Sequence, residues 1–343
     1  MALFDPERPA ADTALAPAKA SVVAPQMGRT EWAMLLGLAL VWGCAFMFIK
    51  VAVASFPPVT YVWLRIAMAA LTALVILKVS GKRLPLSFSL WASVGVLALL
   101  NNVIPFLLFG WGQKHIASGL AAILQATTPI FGVVAAHFLT ADERITSARL
   151  GGVLVGFAGV SIMIGPQLAG DGGNQLVAQL ACLLASLLYA LAGIHARRFK
   201  RLGVGPLELT TAQFIAGTAI LTPVALLVDR PWLGLPTAFA AWGAVAVLAV
   251  VCSALAYVIF FRLIERAGAT NSLLVTLLVP PVALVAGALA FGERFGASQI
   301  AGLFLIGAGL AAIDGRLLAA VRRYRASPIK DCASTPLQSK SPV

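Results

Sequence analysis

The chain has 343 residues, 60% of them apolar and only 11% charged, with a net charge of +12. A soluble domain carries roughly 25% charged residues, so water alone cannot solvate this surface and a bilayer must serve for much of it. The basic excess would suggest nucleic acid in a soluble chain, but here Lys and Arg fall between apolar runs, where they set membrane orientation; nucleic acid is therefore not an expected partner.

Residues 1–31 are rich in Ala and Pro with mixed charges, and no apolar core precedes Trp32. This reads as a disordered cytoplasmic arm rather than a signal peptide. Spans need about 20 apolar residues, and ten runs meet that length, near 32–54, 59–79, 88–110, 116–139, 147–165, 175–196, 208–228, 238–262, 270–291 and 297–318. Turn-forming residues separate them, among them Pro57–Pro58, Gly81, Gly112, Gly203, Pro206, Pro231, Gly268 and Gly292. A basic segment, 319–343, closes the chain. The expected fold is an all-α integral membrane protein of ten transmembrane helices.

Charge tests the count. With the N-terminus inside, 20 of the 25 Lys and Arg fall on the cytoplasmic side. Lys50, Lys114, Arg230 and Arg294 fall outside, and Arg65 lies within the second run. One span missed or added would place the downstream charges on the wrong side. Both termini are therefore expected in the cytoplasm.

The chain also repeats itself. Glu143–Arg144 matches Glu293–Arg294, Gly152 matches Gly302 and Gly159 matches Gly309, all at a shift of 150. Pro58 matches Pro206 at a shift of 148, and Pro129 faces Pro280 after a one-residue slip. Five spans per half is an odd number, so the second half enters the membrane from the opposite side, the inverted arrangement of many secondary transporters. The expected organisation is a first repeat at 32–166 and a second at 175–318.

The stretch LVWGCAFMFIKVAVASFPPVTYVWLRIAMAAL, with Trp42–Gly43, Lys50, Pro57–Pro58 and Leu64–Arg65, resembles the opening of an EamA repeat of the drug/metabolite transporter superfamily. Both halves close in a similar manner, with a proline, an apolar stretch, a Glu–Arg step and a glycine-studded last helix. The resemblance covers about residues 32–315 and implies a cytoplasmic-membrane permease, often an exporter of amino acids or other small metabolites. The second half departs from the pattern, with Tyr189–Ala190 in place of Trp42–Gly43 and Gln213 in place of Arg65.

Polar groups at membrane depth nominate a site. Asn101–Asn102 in the third run and Cys252–Ser253 in the eighth lie at matching depth. Gln125, Thr127 and Thr128 precede Pro129, and Thr276 precedes Pro280 and Pro281. Proline removes a helix hydrogen bond and frees a carbonyl, which is tolerated where it lines a cavity; the three prolines are the candidate helix breaks. Candidate substrate-binding residues are Asn101, Asn102, Gln125, Thr128, Arg65, Ser253 and Thr276, with Trp42, Tyr189 and Tyr257 as aromatic walls. The competing reading makes the amides and hydroxyls interhelical packing bonds and the aromatics core. Arg65 either snorkels to the outer face or binds a substrate carboxylate; Lys50, nearer the surface, is expected to snorkel.

All 13 Asp and Glu lie in tails, loops or span ends. Proton coupling through a midplane carboxylate is thus not expected: if transport is coupled to H+, the substrate or an edge residue carries the proton, and a facilitator that follows the substrate gradient is equally consistent with the sequence. His137 and His195 sit at cytoplasmic span ends. His115 with Lys114 and Ser118 forms an outer cluster for which no carboxylate partner is expected, which does not satisfy the requirements of an enzyme site. The cysteines show no metal spacing, and no nucleotide-binding loop is present; no cofactor is expected. Gly151, Gly152, Gly156 and Gly159, with Gly302, Gly307 and Gly309, are expected to pack helices within the chain or in a homodimer. The function expected is secondary transport of a small molecule by alternating access, most often export; a lipid flippase on the same fold is the alternative.

Overall fold

The computed structural model describes residues 27–84, 88–140, 145–168, 173–234, 236–267, 269–272 and 274–314. Glu143–Arg144, Gly268, Cys332 and both tails lie outside the described residues. Regular structure in the rest is entirely helical, as a bilayer requires of a chain that must satisfy its backbone internally.

The first half contains α1 (Arg29–Ser55), α2 (Pro58–Val79), α3 (Phe88–Ala98), α4 (Ile104–Gly112), α5 (Ser118–Gln125), α6 (Thr128–Leu139) and α7 (Ser147–Leu168). The second contains α8 (Gly173–Arg201), α9 (Pro206–Val228), α10 (Phe239–Ala249), α11 (Ala256–Ala267), α12 (Ala269–Ser272), α13 (Val275–Phe291) and α14 (Ala297–Asp314). Pro58 and Pro206 open α2 and α9, where a missing N–H costs nothing. By length and composition, seven described helical runs can cross a membrane, and three shorter apolar stretches, Arg149–Gly165, Val275–Phe291 and Ala297–Ile313, accompany them.

Two runs contain a π-helical turn. Leu99–Val103 joins α3 to α4 and Val250–Leu255 joins α10 to α11, so the two irregularities sit at a shift of 151. A π turn skips a regular hydrogen bond and re-aims side chains, which is why it often marks a functional site.

The halves pack reciprocally. Helix α1 packs on α13 and α8 on α6, while α3 packs on α9 and α10 on α2. Helices α2 and α9 pair directly, as do α7 and α14. In the last pair, a Cβ added at Gly152 would lie 2.6 Å from the Gly309 carbonyl, and one at Gly159 would lie 2.8 Å from the Gly302 carbonyl. The contact therefore runs antiparallel, and each glycine meets the partner of the other across the repeat. Backbones approach this closely only without side chains between them.

The outer surface is apolar. Leu71 is 66% exposed, Leu154 62%, Leu289 83% and Phe304 72%; side chains like these, displayed along helix after helix, match a hydrocarbon solvent. Inside, two main apolar clusters form. One joins Leu35, Phe109, Leu124, Met163 and Val279, and the other joins Phe56, Tyr61, Phe214 and Leu248. Val41 and Tyr189 pack against both, so the seam between the clusters passes through the centre of the bundle.

Candidate functional site

A cavity of about 300 Å³ lies at this seam. It receives Trp42, Phe46 and Ile49 from α1, Arg65 from α2, Asn101 from the first π turn, and Phe106 and Phe109 from α4. Ala122, Gln125 and Ala126 enter at the end of α5 and Thr128 at the start of α6. The second half contributes Tyr189, Cys252, Ser253, Tyr257, Phe260, Thr276 and Val279. Nine of the ten candidate substrate-binding residues thus converge on one space: Arg65, Asn101, Gln125, Thr128, Trp42, Tyr189, Ser253, Tyr257 and Thr276.

Asn102 does not join them. It is fully buried within the π turn, and neither atom of its amide has a protein partner among the described residues. Successive residues on a helix point about 100° apart, so the adjacent amide faces away from the cavity.

Arg65 does not snorkel. It is 6% exposed, and its guanidinium lies over the Phe106 ring, 3.9 Å from the centroid. Its Nη1 donates to the Tyr61 hydroxyl at 3.0 Å, one helical turn back. Nε and Nη2 both donate to Ser253 Oγ at 3.4 Å. Ser253 can accept because its own proton goes to the Leu248 carbonyl at 2.8 Å. That carbonyl lies five residues back, and the π turn brings it within reach.

The equivalent position in the second half, Gln213, accepts from Asn101 Nδ2 at 3.0 Å. Each π turn therefore bonds to the second helix of the opposite half, through Asn101–Gln213 in one case and Ser253–Arg65 in the other. The bonds correspond in place and differ in charge.

Trp42 Nε1 donates to the Cys252 carbonyl at 3.1 Å, inside the second π turn. Its ring meets Tyr257 edge-on at 6.2 Å and Phe260 at 5.3 Å. Phe109 stacks on Tyr189 with centroids 6.1 Å apart. Trp42 is thus anchored at its polar end and packed at its apolar one.

The proline expectations divide. Pro129 stands at the start of α6, just past the break after α5, and Thr128 Oγ1 donates to the Gln125 carbonyl at 2.7 Å. This bond replaces the one that proline cannot make. Pro280 and Pro281 are instead inside the continuous helix α13; the interruption in that run lies upstream, between Ser272 and Val275. Neighbouring helices can support a proline within a membrane helix without breaking it.

Next to Ile49 in the chain, Lys50 does not snorkel freely but forms an ion pair with Glu293. The chain reverses after α13 at Gly292, whose left-handed φ of 64° suits glycine, and this turn presents Glu293 inward with 6% of its side chain exposed. The carboxylate also accepts from Ser118 N at 2.9 Å, Ser118 Oγ at 2.9 Å and Gly119 N at 3.3 Å, at the start of α5. Burial raises its pKa, but the Lys50 pair and the Ser118 and Gly119 bonds outweigh burial and hold it below the usual carboxylate range. Contrary to the expectation for the outer cluster, its Ser118 does have a carboxylate partner, supplied from 175 residues away. At the other end of the bundle, Lys82 pairs with Glu208 at 3.3 Å and Arg266 with Glu31 at 3.8 Å. His195 bonds to Ser93 at 3.1 Å.

Sequence reasoning missed Phe46, Phe106, Phe109 and Phe260 of the lining. Apolar residues in an apolar helix carry no local signal. The Tyr61–Arg65 pair was detectable from its i, i+4 spacing.

Several known proteins resemble this chain. A transporter of uncharacterised function from Bacillus subtilis strain 168, YoaV, is 22% identical over 280 residues, covering 80% of this chain and 94% of that protein. A probable terminal-alkyne amino-acid exporter from Streptantibioticus cattleyicolor is 26% identical over 289 residues, covering 82% of this chain and 94% of that protein. YedA, an inner membrane transporter of uncharacterised function from Escherichia coli K12, is 24% identical, covering 76% and 82%. One solved crystal structure superposes with a TM-score of 0.59 at 18% identity, over 87% of this chain and 99% of that one, which is a likeness of fold. The EamA-like transporter family matches twice, over residues 30–165 and 176–313. With both matches taken together, most of this multi-pass helical membrane chain is accounted for, and it belongs to the EamA-like transporter family.

Proposed function

We propose that the protein is a secondary transporter that exports amino acids or other small metabolites across the cytoplasmic membrane by alternating access. On this reading it has ten spans in two inverted repeats, 32–166 and 175–318, with both termini in the cytoplasm. Its substrate is held in the central cavity by Asn101, Gln125, Thr128, Arg65, Trp42, Tyr189, Ser253, Tyr257 and Thr276. The observation that carries the reading is the composition of that cavity: corresponding elements of both halves build it around two π turns a fixed shift apart. Two similar halves in opposite orientation can exchange conformations, and the exchange moves the opening from one face to the other. The antiparallel α7–α14 contact supports the inverted relation, and the named amino-acid exporter among the relatives supports the substrate range.

The test is a metabolite comparison of culture media. Cells that overproduce the protein are expected to release a defined set of small molecules faster than cells that lack it. Identical media from both strains would overturn the proposal.

A further inference from the structure

The cavity's charge is more specific than its size. Among the described residues that line it, Arg65 is the only charged one. Among the described residues no carboxylate balances it; its hydrogen-bond acceptors there are the neutral hydroxyls of Tyr61 and Ser253. A guanidinium has five N–H donors in a fork that matches a carboxylate. Here both bonds to Ser253 are long, at 3.4 Å, and share one oxygen. The site thus holds a desolvated, unpaired cation with donor capacity to spare.

We infer that, within the transport role proposed above, the substrate is a small organic monocarboxylate with an apolar body and no positive charge, whose carboxylate binds Arg65. Burying an ion in a low-dielectric site is costly unless an opposite charge accompanies it. A monoanion brings the occupied cavity to neutrality. An amino acid leaves a net positive charge, and its ammonium has no acid in the lining to meet it. A cation adds its charge to that of Arg65. The apolar end of the ligand meets Trp42 and Phe260, whose rings are 5.3 Å apart. A second cleft, at the Lys50 end of the bundle, is lined by Lys50, Gln113 and Lys114. Lys50 is paired with Glu293, whereas Lys114 is exposed with no acidic partner among the described residues, so this cleft also favours an anion.

The experiment uses four probes that share a phenyl ring: phenylacetate, phenylalanine, phenylacetamide and phenethylammonium. Binding to the purified full-length protein is measured by titration calorimetry, and flux is measured in liposomes. Phenylacetate is expected to bind about tenfold or more tightly than each of the others, the scale set by leaving a buried charge unpaired. Arg65→Gln is expected to lower its affinity by about tenfold or more, to the level of phenylacetamide, and Arg65→Lys by less. Equal or tighter binding of phenylalanine or phenethylammonium overturns the inference, as does no binding by any probe or unchanged affinity in Arg65→Gln. If Arg65→Gln does not fold, the ranking of the four probes on the native protein decides alone. Binding of phenylacetate without flux would overturn the transport reading and leave the site assignment standing; flux led by the cation or the zwitterion would do the reverse.

Discussion

A guanidinium buried in an apolar protein is costly unless its donors find partners. Arg65 finds a ring below it, a tyrosine one turn back, and a serine from the other half of the molecule. The contrast between Asn101 and Asn102 shows how fine the placement is. Asn101 lines the cavity and is bonded to Gln213, while Asn102 is buried without a protein partner. Asn101→Leu is expected to reduce efflux severely at unchanged membrane levels. Asn102→Leu is expected to leave efflux within about twofold and to maintain or raise thermal stability by up to about 2 kcal/mol, because it removes an unsatisfied buried amide. Efflux rates and unfolding midpoints of the purified variants check both. The type and depth of these residues were legible in the sequence, but not their direction, since adjacent residues share a depth and differ in face.

At the scale of elements, two devices join the halves. The first is the α7–α14 contact, where carbonyls would lie 2.6–2.8 Å from an added Cβ. Backbone cannot yield there, so Gly159→Leu is expected to cost more than about 3 kcal/mol and to abolish folded protein in the membrane. Gly151, on the same helix, has nothing within 4 Å of its added Cβ, and Gly151→Leu is expected to be tolerated. Monodispersity in detergent distinguishes the two. The second device is the Glu293 knot, which ties α1, the start of α5 and the α13–α14 turn together. Because the Glu293 pKa is lowered on folding, its contribution is fully present above the ordinary carboxylate range and is lost as pH falls through the lowered value. Glu293→Gln is therefore expected to lower the melting temperature at pH 7 and to make a much smaller difference once the pH has fallen below the lowered value. Equal losses at both pH values would contradict the assignment. The glycines of the first device were visible as a repeated pattern. The second was not, because Lys50 and Glu293 are 243 residues apart and only the fold makes them neighbours.

For the whole molecule, the proposed orientation can be read directly. In the inverted ten-span arrangement, Pro57→Cys and Trp232→Cys are expected to react with an impermeant thiol reagent from outside the cell. Lys82→Cys and Lys200→Cys are expected to react only after the membrane is opened. The reverse pattern at either pair would break the arrangement. The reciprocal packing of the halves, with α1 on α13 and α8 on α6, is what two related halves produce.

What this sequence determined by itself is the solvent, the helical class, the approximate place of each apolar run and the kinship of the two halves. Those properties are local: a bilayer forces each crossing segment to satisfy its own backbone, so apolar length, turn residues and flanking charge are written continuously along the chain. The tertiary structure alone decided which polar groups meet. It turned Asn101 toward the cavity and Asn102 away, buried Arg65 where snorkelling was equally open, and gave Lys50 a carboxylate partner. It also carried α13 unbroken through Pro280 and Pro281. Each of these depends on how a helix is rotated against its neighbours, and hydropathy fixes how deep a residue lies but not which way it faces.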